Sequence, residues 1–210
     1  GFDRSMVLGY GHDDRSCVYA GLRAICETEN PEKTAICILV DKEEVGSSGV
    51  TGMQSQAFEK FLADISGDLY SVAKCFENSL CISADVCNAL DPNYPEVSEK
   101  NNSARLGHGM GIMKFTGSGG KSGSSDASAE TVAKFRRIFI DANVRWQMAE
   151  LGKVDQGGGG TIAAYMANRN IETIDAGVPV ISMHAPWEAV SKLDCYMTYR
   201  GIAALYDSKD

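Results

Sequence analysis

The feature that most constrains this chain is an apolar run that ends in three carboxylates. Residues 35–40 read Ala-Ile-Cys-Ile-Leu-Val, and Asp41, Glu43 and Glu44 follow before a Gly-Ser turn. The run has no polar/apolar alternation, which predicts a strand buried on both faces, as in a parallel sheet covered by helices. Ligands bind beyond the carboxyl ends of such strands. The pattern therefore predicts a strand that delivers acidic side chains to a functional edge.

The adjacent Glu43 and Glu44 are open to two interpretations. Like charges this close are unfavourable unless a cation or a shared proton relieves them. A metal site, with one glutamate as ligand and its neighbour as general base, would do so. A solvated acidic turn after a core strand is the simpler interpretation of these residues taken alone.

The composition argues against several classes of function. The length of 210 residues, with 44% apolar and 23% charged residues, is typical of one globular domain of moderate size. The net charge of -8, with no basic tract, argues against a nucleic-acid partner. No run approaches the roughly 18 apolar residues of a transmembrane helix, so we expect no membrane partner.

The cysteines and the first residues of the chain give two further expectations. The seven cysteines are an odd number without CxxC spacing, which predicts buried free thiols in a reducing compartment, the cytoplasm. The opening residues 1–7 have neither the pattern of a signal peptide nor an initiator Met, so we expect a chain cut from a longer one.

Helical and strand patterns alternate along the chain. We expect strands over 35–40, 80–84 and 172–181, and helices over 17–28, 53–65, 125–151, 161–168 and 187–206. Residues 88–125 are irregular and predict a loop, or a hairpin around 110–115. This order predicts an α/β fold with a mixed, largely parallel sheet layered with helices.

Other acids and one histidine follow the pattern of the acidic turn. Asp13 and Asp14 precede the first helix, where the helix dipole favours carboxylates, Asp85 ends the second strand, and His184 follows an apolar run. Each alone is typical of a cap or a hydrogen-bonded structural residue. Together they form the mixed nitrogen and oxygen ligand set that suits zinc, manganese or cobalt.

Several motifs in one order carry a family resemblance. They are Gly11-His-Asp-Asp-Arg15, Asp41-x-Glu-Glu-Val-Gly-Ser47, Ser83-Ala-Asp85 with Asp91-Pro-Asn-Tyr94, Gly160-Thr-Ile162 and Asp175-x-Gly-x-Pro-x-Ile-Ser-Met-His184. Over essentially its whole length the chain resembles the aspartyl aminopeptidase / aminopeptidase I family of dinuclear zinc metallopeptidases. The resemblance implies that residues 1–210 are the C-terminal part of a zinc exopeptidase-like catalytic domain, incomplete at its N-terminus. It also implies that the upstream part of that domain and an inserted oligomerisation domain lie outside this chain.

The resemblance implies a role for each matching residue. Asp13 corresponds to the carboxylate that bridges two divalent metal ions, zinc with cobalt or manganese as alternatives. Glu44 and His184 complete the ligands of one ion, and Asp85 serves the other. Glu43 corresponds to the general base that takes a proton from the attacking water.

The family pattern also implies a specificity residue and shows two departures. Lys121 looks like the lysine that receives acidic N-terminal side chains, although a solvated loop lysine is an equally simple interpretation. Family members are about twice as long and supply a further histidine ligand from an upstream segment. Many of them also have His where this chain has Asn88 and Asp91.

These implications define the expected function. The chain is expected to be part of a metal-dependent aminopeptidase that hydrolyses N-terminal residues, acidic ones preferred, from peptides. The family further implies a homo-oligomer, a dodecamer. One alternative is an aminopeptidase of neutral or broad specificity. The other is an inactive fragment or assembly domain that lacks one ligand histidine.

Overall fold

The chain folds into six helices and ten strands within the described residues. A computed structural model describes residues 2–119, 122–153 and 155–209. The helices are α1 His12–Glu27, α2 Ala57–Ser66, α3 Leu69–Glu77, α4 Ala129–Asp141, α5 Ala163–Ala167 and α6 Lys192–Tyr206. The strands are β1 Met6–Gly9, β2 Leu80–Ser83, β3 Cys87–Asn88, β4 Met110–Met113, β5 Phe115–Ser118, β6 Ser122–Asp126, β7 Trp146–Met148, β8 Glu172–Gly177, β9 Pro179–Ile181 and β10 Glu188–Ser191.

Eight of the strands form two four-stranded sheets, and β5 and β6 form a hairpin. The central sheet has the order β2-β8-β4-β7, with β2 parallel to β8, β8 antiparallel to β4, and β4 parallel to β7. The second sheet has the order β1-β10-β9-β3, in which only the β3–β9 pair is parallel. The α/β class with a mixed sheet is confirmed, and two of the three pairings in the central sheet are parallel.

Helices α4 and α6 pack on the central sheet through a continuous apolar core. The buried members of this core include Met110, Ile112, Phe135, Phe139, Ile174 and Ala176. Helix α1 lies against α6, where the small side chains of Ala20 and Ala24 pack with Ile202. Burial of apolar surface stabilises a fold by about 25 cal/mol per Å². The packing of α1 on α6 therefore holds α1, and the first residues of that helix, in place relative to the sheets.

Two chain segments run side by side through both sheets, and Asp85 lies where they pass from one sheet to the other. Strand β2 pairs with β8, and the following β3 pairs with β9. At the passage, a side chain on Gly177 would collide with the backbone carbonyl of Asp85 and with the thiol of Cys17. Glycine at 177 therefore allows the close backbone approach that sets the position of Asp85.

The strand predicted over 35–40 is wrong, because these residues have no regular secondary structure. A cleft of about 1210 Å³ lies between this segment and β2, with Ile36 and Ile38 among its lining residues on one side and Ile82 on the other. A strand needs a neighbour that pairs with its backbone N–H and C=O groups. The cleft separates the segment from the free edge of β2, and the two do not pair.

Several further elements differ from the sequence prediction. Helix α1 begins at His12 rather than 17, so it includes Asp13 and Asp14, and α3 and β1 were not predicted. Helix α4 ends at Asp141 rather than near 151, because Asn143 adopts a left-handed backbone (φ 54) and β7 follows. The C-terminal helix begins at Lys192 rather than 187, since β10 occupies Glu188–Ser191. The hairpin expected around 110–115 lies just after it, as β5 and β6.

Two expectations about composition can be compared with the structure. All seven cysteines are free, as predicted, but the expectation that they are buried holds fully only for Cys17 and Cys87, while Cys26 and Cys75 are exposed. Across residues 2–119, 122–153 and 155–209, none of the helices is both long enough and apolar enough to traverse a bilayer.

Candidate metal centre

Three of the predicted ligands meet at one point, although they come from distant parts of the chain. Asp13 lies in the first turn of α1, Glu44 in a short 3₁₀ helix, Glu43–Val45, and His184 in the turn after β9. The His184 Nε2 atom is 2.9 Å from Asp13 Oδ2 and 3.2 Å from Glu44 Oε1. These ligand atoms all lie within 4.8 Å of one another. They have the spacing of side chains that can hold one ion.

A second group of ligand atoms shares Asp13 with the first. Asp13, Asp14 and Asp85 each offer a carboxylate oxygen, and these atoms also lie within 4.8 Å of one another. One of the Asp14 oxygens, Oδ1, is buried without a hydrogen-bond partner. A buried polar atom without a partner is costly in a native fold, and a bound cation would satisfy it. The residues present therefore fit a pair of metal ions, and zinc accepts such oxygen and nitrogen ligands.

The electrostatics of the two groups also favour a cation. Burial, followed by the charge of Glu44, raises the pKa of Asp13 to about 6. Burial is also the largest cause that raises the pKa values of Asp14 and Asp85 well above the ordinary range. The charge of Asp13 raises the pKa of Asp14 further, and the charge of Asp14 raises that of Asp85. Several carboxylates share one partly buried volume, so a divalent ion would stabilise their charged forms.

Glu43 lies beside both groups without belonging to either among the described residues. Burial, then the charges of Glu44 and Asp13, raises the pKa of the Glu43 carboxyl to about 7. A carboxyl with a pKa near neutrality can take up and release a proton at working pH. Its position and pKa are those of a candidate general base.

Asp41 lies outside this geometry. Asp41 is exposed, and its carboxylate pairs with Lys42 at 2.7 Å. Its pKa is lowered chiefly by the hydrogen bond from the Lys42 side chain. Lys121 falls in sequence between β5 and β6 and lies outside the described residues.

Two buried carboxylates interact with residues of the site, Glu188 by hydrogen bonds and Asp175 by its charge on Glu43, and were assigned no role from sequence. Glu188 is 2% exposed and accepts hydrogen bonds from the backbone N–H groups of Asp13 and His184. Asp175 is 2% exposed and accepts hydrogen bonds from the hydroxyls of Thr161, at 2.6 Å, and Thr116, at 3.2 Å. Neither role could be predicted from sequence, since each acid has a partner far away along the chain, Asp13 for Glu188 and Thr116 for Asp175.

The raised pKa values predict how the stability of the metal-free protein depends on pH. The folded-state pKa values of Asp13, about 6, and Glu43, about 7, lie above their ordinary values of 3.8 and 4.5. At pH values between the ordinary pKa and the folded-state pKa of each group, the folded form binds more protons than the unfolded form. The free energy of unfolding therefore rises as pH falls. We expect the thermal midpoint of the metal-free protein to increase from about pH 7.5 to about pH 5.5.

Excess zinc is expected to reverse this dependence, because protons compete with the metal for the carboxylates. Differential scanning fluorimetry with and without a chelator measures both curves. Parallel curves in the two conditions would contradict the linkage between the acidic groups and a metal.

The chain matches known proteins over nearly its whole length. The family model described as aminopeptidase I zinc metalloprotease (M18) matches residues 1–206. A probable M18 family aminopeptidase 1 of Clostridium acetobutylicum is 54% identical over 213 residues, which cover 99% of this chain and 46% of that protein. The probable M18 family aminopeptidase 1 of Thermotoga maritima is 42% identical over 213 residues, which cover 99% of this chain and 47% of that protein.

Solved structures have the same fold. The crystal structure of aminopeptidase I from Clostridium acetobutylicum matches with a TM-score of 0.93 at 55% identity, covering 99% of this chain and 46% of that one. The M18 family aminopeptidase from Thermotoga maritima matches with a TM-score of 0.94 at 42% identity, covering 99% and 47%. A Saccharomyces cerevisiae mApe1 dodecamer, at 23% identity and a TM-score of 0.79 over 99% and 48% of the two chains, shares the fold. The chain thus spans about half the length of these relatives.

Proposed function

Because this chain belongs to the M18 family of aminopeptidase I zinc metalloproteases, we propose that the full-length protein is a metal-dependent aminopeptidase that removes N-terminal residues from peptides. The observation that carries the proposal is the sharing of Asp13 between two groups of ligand atoms. A carboxylate in this position can bridge two ions, and two-metal sites are typical of aminopeptidases.

Each of the two groups of ligand atoms would hold one ion. Asp13, Glu44 and His184 would hold one ion, and Asp13 with Asp85 the other, with the buried Asp14 oxygen beside them. When bound, the ions would polarise the scissile carbonyl and lower the pKa of a water molecule. Zinc is favoured by the family, and cobalt or manganese would suit the same ligands.

Glu43 would act as the general base. Its carboxylate would take a proton from the water that attacks the carbonyl carbon, so that a C–O bond forms. It would then pass that proton to the amine nitrogen as the C–N bond breaks. In the metal-free protein, partial burial and then the charges of Glu44 and Asp13 raise the Glu43 pKa to about 7, so this carboxyl takes up a proton more readily than a solvated glutamate does.

Preference for acidic N-terminal residues is the finer part of the proposal, and it rests on Lys121. An ammonium group that receives the substrate carboxylate would favour Asp and Glu over Leu. We expect Lys121→Ala in the full-length protein to lower kcat/KM for Asp- and Glu-derived chromogenic substrates by about 10-fold or more. The Leu-derived substrate is expected to change little.

The matched control for Lys121 is Lys114→Ala, since Lys114 is an exposed lysine that pairs with Asp126. The Lys114→Ala substitution is expected to leave kcat/KM unchanged for the Asp-, Glu- and Leu-derived substrates. Equal losses on acidic and neutral substrates in the Lys121 variant would favour the alternative of broad or neutral specificity.

The remaining half of the protein enters the proposal in two ways. The relatives are about twice as long as this chain, and we propose, from the family resemblance, that a further histidine ligand comes from outside residues 1–210. The mApe1 structure is a dodecamer, and we propose a homo-oligomer here, which light scattering on the full-length protein would test. The free thiols support a cytoplasmic location.

The non-enzymatic alternative is that residues 1–210 are an inactive fragment or an assembly domain. It is motivated by the fact that the chain spans only about half the length of its relatives. Metal analysis separates it from the enzyme proposal. Two ions per chain in the full-length protein would support the enzyme, whereas one ion or none, without turnover, would support the alternative.

A further inference from the structure

Glu188 connects two segments of the chain that each carry a proposed metal ligand. It begins β10 and lies opposite Gly9 of β1, whose chain continues through a turn into Asp13. The Glu188 Oε2 atom accepts from the Asp13 N–H at 3.0 Å, and Oε1 accepts from the His184 N–H at 2.9 Å. One carboxylate therefore holds the backbone of two proposed ligands.

The backbone held by Glu188 is strained at one of the two ligands. His184 has a left-handed φ of 66°, and Ser182 in the same turn has a φ of 60°. Non-glycine residues with a positive φ cost free energy and persist only where surrounding contacts fix them. The hydrogen bond from the His184 N–H to Glu188 is such a contact. Asp13 has an extended backbone within the first turn of α1, and its N–H donates to Glu188.

The chemistry of Glu188 is suited to positioning rather than to binding an ion. Both of its oxygens are engaged by backbone donors, and neither belongs to the two groups of ligand atoms found in the described residues. A buried carboxylate that accepts two N–H groups makes charge-assisted hydrogen bonds, which are shorter and stronger than neutral ones. Such a group fixes the direction in which each ligand side chain leaves the backbone.

We propose that Glu188 is a positioning residue that sets the separation of Asp13 and His184 for metal binding, an inference that rests on the proposed metal site. The 2.9 Å between His184 Nε2 and Asp13 Oδ2 is the geometry that it maintains. Groups that orient metal ligands through hydrogen bonds typically account for about 10- to 100-fold in metal affinity.

The test is Glu188→Gln in the full-length protein. Glutamine has the same shape but presents an NH₂ donor where one backbone N–H needs an acceptor, so one of the two bonds is lost. We expect the zinc dissociation constant, measured by competition with a chromogenic chelator, to rise about 10- to 100-fold. Activity at limiting zinc should fall by a similar factor and recover at saturating zinc, with KM unchanged.

Asp194→Asn is the matched control, because Asp194 is also a fully buried carboxylate that accepts two backbone N–H groups. Its partners are Gly107 and Gly109, both at 2.7 Å, and none of the three belongs to the groups of ligand atoms in the described chain. We expect this control to lower the thermal midpoint of the metal-free protein as Glu188→Gln does, and to leave the zinc affinity within about twofold.

The outcomes separate the two proposals. Wild-type protein that binds no zinc would contradict the proposed function itself. Wild-type protein that binds zinc, together with a Glu188→Gln variant of equal affinity, would overturn only the positioning role. If Glu188→Gln does not fold, Glu188→Asp decides by the same affinity criterion, since the shorter acid cannot reach both backbone N–H groups.

Discussion

Replacing Glu43 with Gln in the full-length protein is expected to lower kcat by about 10²- to 10⁴-fold, the range that a positioned general base contributes. The amide keeps the size of the side chain but cannot accept a proton from water. Glu43 is outside both ligand groups in the described residues, so bound metal should remain at the wild-type level. Steady-state hydrolysis of an aminoacyl chromogenic substrate, with metal content measured on the same sample, gives both quantities.

The control for Glu43 is Asp41→Asn in the same acidic turn. Asp41 is exposed and pairs with Lys42, and its removal should change kcat by less than about twofold, as is usual for an exposed ion pair. Unchanged hydrolysis in the Glu43→Gln variant would remove the proposed base from the mechanism.

Replacing Asp13 with Asn is expected to release both metal ions. Asp13 contributes to both groups of ligand atoms, and a neutral amide cannot bridge two cations. Metal ions supply several kcal/mol of transition-state stabilisation, so activity should fall by more than about 10³-fold. Inductively coupled plasma mass spectrometry should find about two ions per chain in the wild type and fewer than one in the variant.

His184→Ala provides the comparison for Asp13. It removes a ligand atom from the first group and leaves Asp13, Asp14 and Asp85 in place. We therefore expect this variant to retain about one ion per chain. An Asp13→Asn variant that still binds two ions would show that this carboxylate is not shared.

Local signals in the sequence were sufficient to predict much of the fold. The helix predicted from residue 125 is an example: it is present as α4, but it begins at Ala129, after Ser128, whose hydroxyl accepts from the Thr131 N–H as an N-cap. The end of the same helix was wrong because β7 is decided by pairing with β4, a contact that no local pattern reveals. The strand predicted over 35–40 was wrong for a related reason: an apolar run becomes a strand only beside a paired neighbour.

The candidate site was likewise predicted only in part from the sequence. Asp13, Glu44, Asp85 and His184 follow or begin regular elements, so a sequence pattern could single them out, and the structure brings them together. Their metal-binding roles remain predictions. Glu188 has no such pattern: its importance comes from burial and from hydrogen bonds that join the distant Asp13 backbone to the nearby His184 backbone.

The contact between Asp13 and Glu188 joins residues 175 positions apart, and this separation has a consequence for the unfolded chain. An ion held by Asp13 and His184 would act as a removable cross-link that closes most of the chain into one loop. Closing a long loop costs conformational entropy, and a cross-link lowers the entropy of the unfolded ensemble. Loss of the ion would therefore remove one tie between these distant segments at the same moment that it empties the proposed catalytic centre, and the β1–β10 pairing and the Glu188 hydrogen bonds would remain.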